Sequence, residues 1–197
     1  MRYTEIIGDI KDYVSHYMQQ QKNTKLHYHN LTHTTYVVEA VSKIAAHYQL
    51  SQEDEFIVTV AAWFHDIGYY TGPQDHERKG AGIAAVFLNK RKINGSIIDK
   101  IQGCIMATRM PQMPTNLLEE IICDADLFHF GTIEFKKKNK LLLEEYNSIY
   151  SPPLDKDEWR LKTAALLEKH VYHTEYCRSL LDQQKQRNLE ALGNILM

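Results

Sequence analysis

The sequence predicts an all-α fold, a compact multi-helix bundle of about eight helices in one domain spanning 1–197. Three observations carry this. Apolar residues recur at i, i+3, i+4 and i+7 along most of the chain, the period of a helix with one buried face. Strand-like alternation is nearly absent. Capping residues, glycines and prolines separate the apolar stripes into helix-length pieces.

In chain order, Ile6, Ile7, Ile10, Tyr13, Val14 and Tyr17 form the first stripe. After the polar stretch 19–25, a second runs through Val37, Val41, Ile44, Ala45 and Tyr48, with Asn30 or Thr32 able to cap it. Ser51 reads as the next N-cap, and Glu53, Asp54 and Glu55 suit the positive end of a helix dipole. That helix carries Ile57, Val60, Ala61 and Phe64 and is expected to stop near Gly68. Gly72-Pro73 makes a turn, and a helix over about 76–91 follows, with Ile83, Val86 and Phe87 inward.

Gly95-Ser96 opens a helix with Ile97, Ile98, Ile101, Ile105 and Met106, which Pro111 and Pro114 must end. Thr115 is the expected cap of a helix through Leu117, Leu118, Ile121, Ile122 and Ala125. Three more helices are expected, over about 133–150, 155–169 and from Thr174 onward, with Pro152-Pro153 breaking the first from the second. The run Lys136-Lys137-Lys138 reads as a solvated helix face.

A formal net charge of −2 gives no reason to expect nucleic-acid or membrane binding, though a small anion responds to local rather than total charge. Cys104, Cys123 and Cys177 lie far apart without CxxC spacing, which reads as reduced thiols. Residues 1–5 lack the apolar core of a signal peptide, and the longest apolar stretch, around Val58–Phe64, is far short of a membrane span. A cytoplasmic protein is the expectation.

The chemistry concentrates in histidines and acids. His65-Asp66 ends the apolar segment Val58–Phe64, where an ionised Asp is costly without a partner. Neighbouring helix residues project about 100° apart, so an ion lying between those directions can take both side chains from one turn. Imidazole with carboxylate suits Mn, Fe, Zn or another borderline divalent ion. His33 lies in the first turn of its helix, where a side chain can face a cleft. Asp124 and Asp126, at i and i+2, point to different sides of a helix, so one is expected inward, and spacing does not choose between them.

Taken in order, Tyr28-His29-Asn30-x-x-His33, Ala62-Trp63-Phe64-His65-Asp66-Ile67-Gly68, Glu77 ahead of Gly80-Ala81, Ala107-Thr108 and Asp124-Ala125-Asp126-Leu127 resemble the HD-domain superfamily of metal-dependent phosphohydrolases. The likeness is to its small, stand-alone bacterial branch. It continues through Glu144-Glu145-Tyr146, Trp159-Arg160 and Tyr172-His173-Thr174, covering roughly residues 28–189.

The resemblance implies metal ligands at His33, His65, Asp66 and Asp126, and it is what selects Asp126 over Asp124. It also implies hydrolysis of a small phosphate ester, a nucleotide above all, by water activated at the metal. Asp66 is then expected to act as the base, and Glu77 in general acid–base work. Lys79 and Arg109 are expected to hold the phosphate. His29 is expected to hydrogen-bond near the metal rather than ligate it.

Two-metal members of the superfamily place two further histidines between the HD pair and the last Asp. Only His76 lies there in this chain, so one divalent ion (Mn, Mg, Co, Ni, Fe or Zn) is expected; His76 itself reads first as a surface residue, with a spare ligand or a leaving-group acid as the alternatives. The competing functions are a metal- or nucleotide-binding sensor without turnover and a di-iron HD oxygenase.

Overall fold

The computed structural model describes residues 3–21 and 23–193. Met1 and Arg2 of the N-terminal segment, and Lys22 of the polar stretch, lie outside them. Among the described residues there are nine α-helices, two short 3₁₀ turns and no strand. The helices are α1 (Tyr3–Gln21), α2 (Leu31–Tyr48), α3 (Gln52–Phe64), α4 (His76–Lys90), α5 (Gly95–Ala107), α6 (Leu117–Asp126), α7 (Phe135–Ile149), α8 (Lys156–Lys169) and α9 (Glu175–Gly193). The 3₁₀ turns, Ile67–Thr71 and Phe128–Gly131, follow α3 and α6. No helix among the described residues is long and apolar enough to cross a membrane.

The chain forms two compact units. The first comprises α1 with His29–Asp126. Its centre is α3, where Phe56, Ile57, Val58 and the run from Val60 to Phe64 are all buried. A helix apolar on every side needs cover on every side, and α1, α2, α4, α5 and α6 all pack on it. Each large side chain buried there contributes roughly 1.5–3 kcal/mol.

Ser51 caps α3 as its position predicts, its Oγ accepting from the Asp54 N–H at 3.1 Å. Two local expectations are corrected. Val86 faces solvent, 59% exposed, while Ala81, Ala84, Phe87 and Leu88 form the buried face of α4. Small alanines, weak apolar signals in a sequence, set that face because they let α4 approach closely. Asn116 rather than Thr115 caps α6, its Oδ1 accepting from the N–H groups of Leu118 and Glu119. Thr115 instead donates its N–H and Oγ1 to the Glu119 carboxylate.

The second unit comprises Thr24–Tyr28 and the chain from Leu127 onward. Here α9 packs on the turn Phe128–Gly131 and on α8, and α7 packs on the same turn. Asn188 fastens the turn by donating from Nδ2 to the Phe130 and Thr132 carbonyls at 2.8 and 2.9 Å. A Cβ on Gly131 would sit 2.5 Å from the Leu181 backbone oxygen, so only glycine lets α9 come this close. Buried Glu145 accepts from the Tyr28 N–H at 2.8 Å, tying the short N-terminal segment of this unit to α7.

His170, which ends α8, stands edge-on to the Phe130 and Tyr172 rings, and neither of its ring nitrogens has a hydrogen-bond partner. Burial first, then the charges of Lys185 and His173, push its pKa down to about 3. The folded value lies below the ordinary imidazole value of 6.5. Stability from this group is therefore complete above pH 6.5 and lost as pH falls toward 3, because the unfolded chain takes up a proton that the folded chain refuses. Between pH 7 and 5 the loss should be about 1–2 kcal/mol. Urea unfolding at the two pH values should show this decrement in the wild type and its removal in His170→Phe. An equal decrement in both proteins would contradict this account of His170.

Candidate metal centre

Three helix ends meet in the first unit, and the four candidate ligands sit on them. Asn30 caps α2, its Oδ1 accepting from the N–H groups of Thr32 at 2.9 Å and His33 at 3.4 Å, which fixes His33 in the first turn. His65 follows the last residue of α3, its N–H still donating to the Ala61 carbonyl. Asp66 begins the next turn, and Asp126 is the last residue of α6. Helices α2, α3 and α6 each pack on the other two, so these ends are held together by core packing.

The sequence-predicted quartet converges: one donor atom from each of His33, His65, Asp66 and Asp126 lies within 4.8 Å of the other three. His33 Nε2 is 3.2 Å from both Asp66 Oδ2 and Asp126 Oδ1. His65 Nε2 is 3.1 Å from Asp66 Oδ2 and 3.5 Å from Asp126 Oδ1. The two Nε2 atoms are 3.5 Å apart. Donors about 2.1 Å from a shared divalent ion stand roughly 3–3.5 Å from one another, so these separations fit one.

Two further observations agree. The His65 Nδ1 lies 2.8 Å from the Ala62 carbonyl. A carbonyl only accepts, so Nδ1 carries the hydrogen and Nε2 is left to face the quartet, the orientation usual for a metal-binding imidazole. Asp66 Oδ2 is buried and faces the His33 and His65 Nε2 atoms, a costly place for a carboxylate oxygen unless positive charge answers it. This His/Asp group can therefore hold a metal ion.

Electrostatics bind the quartet even without an ion. Burial opposes charge on His65, but the Asp66 carboxylate and hydrogen bonds to Asp126 and Asp66 outweigh it and hold the imidazole pKa well above its usual value. Burial likewise pushes the Asp66 carboxyl up. The charges of His65 and His29 and hydrogen bonds from His33 and His65 overcome that and hold it well below the carboxylate range. Asp126 is held below the range for the same reason: burial is outweighed by hydrogen bonds from His33 and His65.

Asp124 is fully buried while Asp126 faces the quartet, so the expectation that only one acid of the pair faces inward is corrected. Asp126 ends its helix, and a terminal residue is not bound by the helical period.

The other site candidates divide. Glu77, 7% exposed, lies 3.4 Å from His76 through its Oε1. Lys79 donates from Nζ to the Gly72 and Thr71 carbonyls, and Arg109 to the Asp75 carboxylate at 3.3 Å; neither touches the quartet. His29 stacks on Tyr69 at 3.9 Å and meets His33 edge-on at 5.9 Å.

His76 departs most from its sequence reading. It is no surface residue: its Nε2 lies 3.7 Å from Asp66 Oδ1, and its ring packs on Tyr69 at 4.0 Å. Gly68 makes this possible, since a Cβ there would overlap the His76 carbonyl. Gly68 thus serves close backbone packing rather than ending α3. The signal was available in the run Asp75-His76-Glu77 behind a Gly-Pro turn, but counting histidines alone passes over it.

The chain belongs to the HD domain family, whose model matches residues 30–131, a span containing all four quartet residues. Among solved structures, it resembles the Lin1889 protein from Listeria innocua with a TM-score of 0.70 and 17% identity, covering 100% of this chain and 97% of the other. It also resembles a predicted HD superfamily hydrolase from an uncultured Thermotogales bacterium, with a TM-score of 0.63 and 20% identity over 100% and 98% of the two chains. These likenesses establish a shared fold. No curated protein matches the chain.

Any divalent ion entering the quartet must displace the proton on His65. Uptake should therefore release protons and weaken as pH falls, by up to about tenfold per pH unit. Calorimetric Mn²⁺ titration at pH 6 to 8, in buffers of different ionisation enthalpy, measures both effects. An affinity independent of pH, with no proton release, would refute ion entry at His65.

Proposed function

We propose that this protein is a metal-dependent phosphohydrolase acting on a nucleotide or another small phosphate ester. The observation that carries the reading is the set of four mutually facing donors, buried His33, His65 and Asp66 with partly exposed Asp126. Membership of the HD domain family supports it, and the name hydrolase borne by the Thermotogales relative agrees with it. A divalent ion held by the four supplies Lewis acidity and neutralises phosphate charge when bound.

The chain's own contribution is to hold, orient and admit. Packing of α2, α3 and α6 fixes the donors before any ligand arrives, so little reorganisation accompanies binding. The side chains of His33, His65 and Asp66 are 2%, 1% and 5% exposed, whereas that of Asp126 is 19% exposed. Water and a phosphoryl oxygen therefore reach the quartet on the Asp126 side.

Arg109 is held by Asp75, the residue before His76, on the loop that carries His76 toward Asp66. It receives substrate phosphate by exchanging the Asp75 carboxylate for a phosphoryl oxygen. Lys79, fastened to the carbonyls of the turn at 71–72, keeps that turn in place and adds positive charge.

Phosphate release from a panel of nucleotides and simple phosphomonoesters, with Mn²⁺, Mg²⁺, Co²⁺ and Ni²⁺ in turn, should reveal turnover. Asp66→Ala and Asp126→Ala should lose bound metal and lower kcat/KM by at least about 100-fold, since even indirect disturbance of a metal ligand costs 10–100-fold. Arg109→Ala should raise KM by about 5–10-fold at unchanged metal content, the loss of one charge-assisted contact. Wild-type metal content in both Asp variants would sink the site assignment. Metal binding without turnover of any phosphate compound would favour a sensor.

A further inference from the structure

We propose that the first unit holds a second ligand site, a cavity at the end of its helices away from the quartet, which takes a small organic ammonium ion with a compact apolar body. The site does not depend on how the quartet is used.

A cavity of about 580 Å³ opens where the starts of α3 and α6 meet α5, with Asp54, Asp99, Gly103, Cys104, Leu117 and Glu119 in its wall. Small-molecule pockets run to roughly 300–1,000 Å³, so this one is large enough for a ligand. Helices α3 and α6 lead from it to His65, Asp66 and Asp126. At a rise of 1.5 Å per residue, α3 alone sets the two sites roughly 15–20 Å apart. Glycine is a poor residue inside a helix, yet α5 carries Gly103 at this wall. A Cβ there would stand 3.4 Å from Glu119 Oε1, so the missing side chain leaves the space in front of that carboxylate open.

Three carboxylates border the cavity, and each keeps an oxygen to spare. Asp54 uses Oδ2 to accept from the Ser51 hydroxyl at 2.8 Å. Glu119 uses Oε2 to accept from the N–H and Oγ1 of Thr115, at 2.7 and 2.8 Å. These bonds tie both acids to the starts of their own helices and leave Asp54 Oδ1 and Glu119 Oε1 without a partner among the described residues. Asp99 has none for either oxygen. Lys100 also lines the cavity, but its Nζ is drawn to Glu53, 3.4 Å away and outside the lining. The wall therefore offers acceptors with negative charge and no cation of its own to answer them.

The rest of the wall is apolar. Leu50, Leu117 and Leu118 line it, and Leu117 is left 37% exposed, a large apolar side chain without full cover. Cys104 is only 2% exposed and forms no disulfide. Among the described residues its thiol has no hydrogen-bond partner. Burial first, then the Glu119 charge, push that thiol up to about 12, so it stays protonated and adds no charge. A hydrocarbon body gains by covering these surfaces, and an ammonium head gains charge-assisted hydrogen bonds to the spare oxygens. An anionic head of the same shape meets only repulsion.

The test uses one hydrocarbon cage with three heads: adamantylamine, adamantanol and adamantanecarboxylate, each titrated into the isotope-labelled full-length protein while backbone amide shifts are followed by NMR. The amine should move the amides of Gly103, Leu117 and Leu118 with a Kd of about 1 mM or tighter. The carboxylate should bind at least about tenfold more weakly, with the alcohol between them. Asp99→Lys, a change on the exposed side of α5, should weaken the amine at least about tenfold. Gly103→Leu, which fills the cavity, should abolish binding. Melting curves confirm that each variant is folded, and either variant alone suffices. Absence of shifts at these amides with about 5 mM amine overturns the site. Equal affinity for the three heads, or undiminished amine binding in both variants, overturns it as well.

Discussion

Charge cannot be carried into a protein interior unless other charge meets it there, and this chain carries Asp66 inward on the end of its most apolar helix. The cost of desolvating that carboxylate is answered by two imidazoles: His33, arriving from the start of α2, and its own neighbour His65 at the end of α3. Asp126, from the end of α6, balances the imidazoles in turn. None of these ends could stray without exposing α3, whose buried face is continuous from Phe56 to Phe64 apart from Thr59. Hydrophobic packing holds the polar site together, and the site compensates the charge that the packing buries.

This explains why the ligands lie at helix ends rather than along helix faces. A residue within a helix shares its surroundings with the apolar stripe, whereas a terminal residue escapes the stripe and can point past it. His33 lies in a first turn, His65 just beyond a last one, and Asp126 is itself a last residue. The close approach of α4 follows the same logic. Gly80 lets its first turns meet the α3 backbone, where a Cβ would stand 2.6 Å from the Phe64 carbonyl oxygen. Gly68 admits the carbonyl of His76. Two missing side chains bring His76 and Glu77 to the edge of the quartet.

The outer parts of the site are organised differently. Arg78 and Arg109 converge on the single carboxylate of Asp75, and Lys79 fastens a turn through two carbonyls. These contacts are partly exposed, and such ion pairs contribute little to stability. Contacts of this kind are weak and exchangeable. The quartet, mutually paired and buried except at Asp126, is fixed by its surroundings.

The sequence by itself determined the helices, because helical period and capping chemistry are local properties, and the order of its five family-like blocks carried the resemblance that picked out the quartet. It located α3 correctly, and it marked His65-Asp66 as a buried problem needing a partner. The tertiary structure decided which end meets which: the burial of Asp124 beside the turn of Asp126 into the quartet, the buried face of α4, and the place of His76. Periodicity is silent about residues at or beyond the last turn of a helix. A histidine that looks solvated in one dimension is turned inward when a glycine eight residues earlier lets its backbone approach.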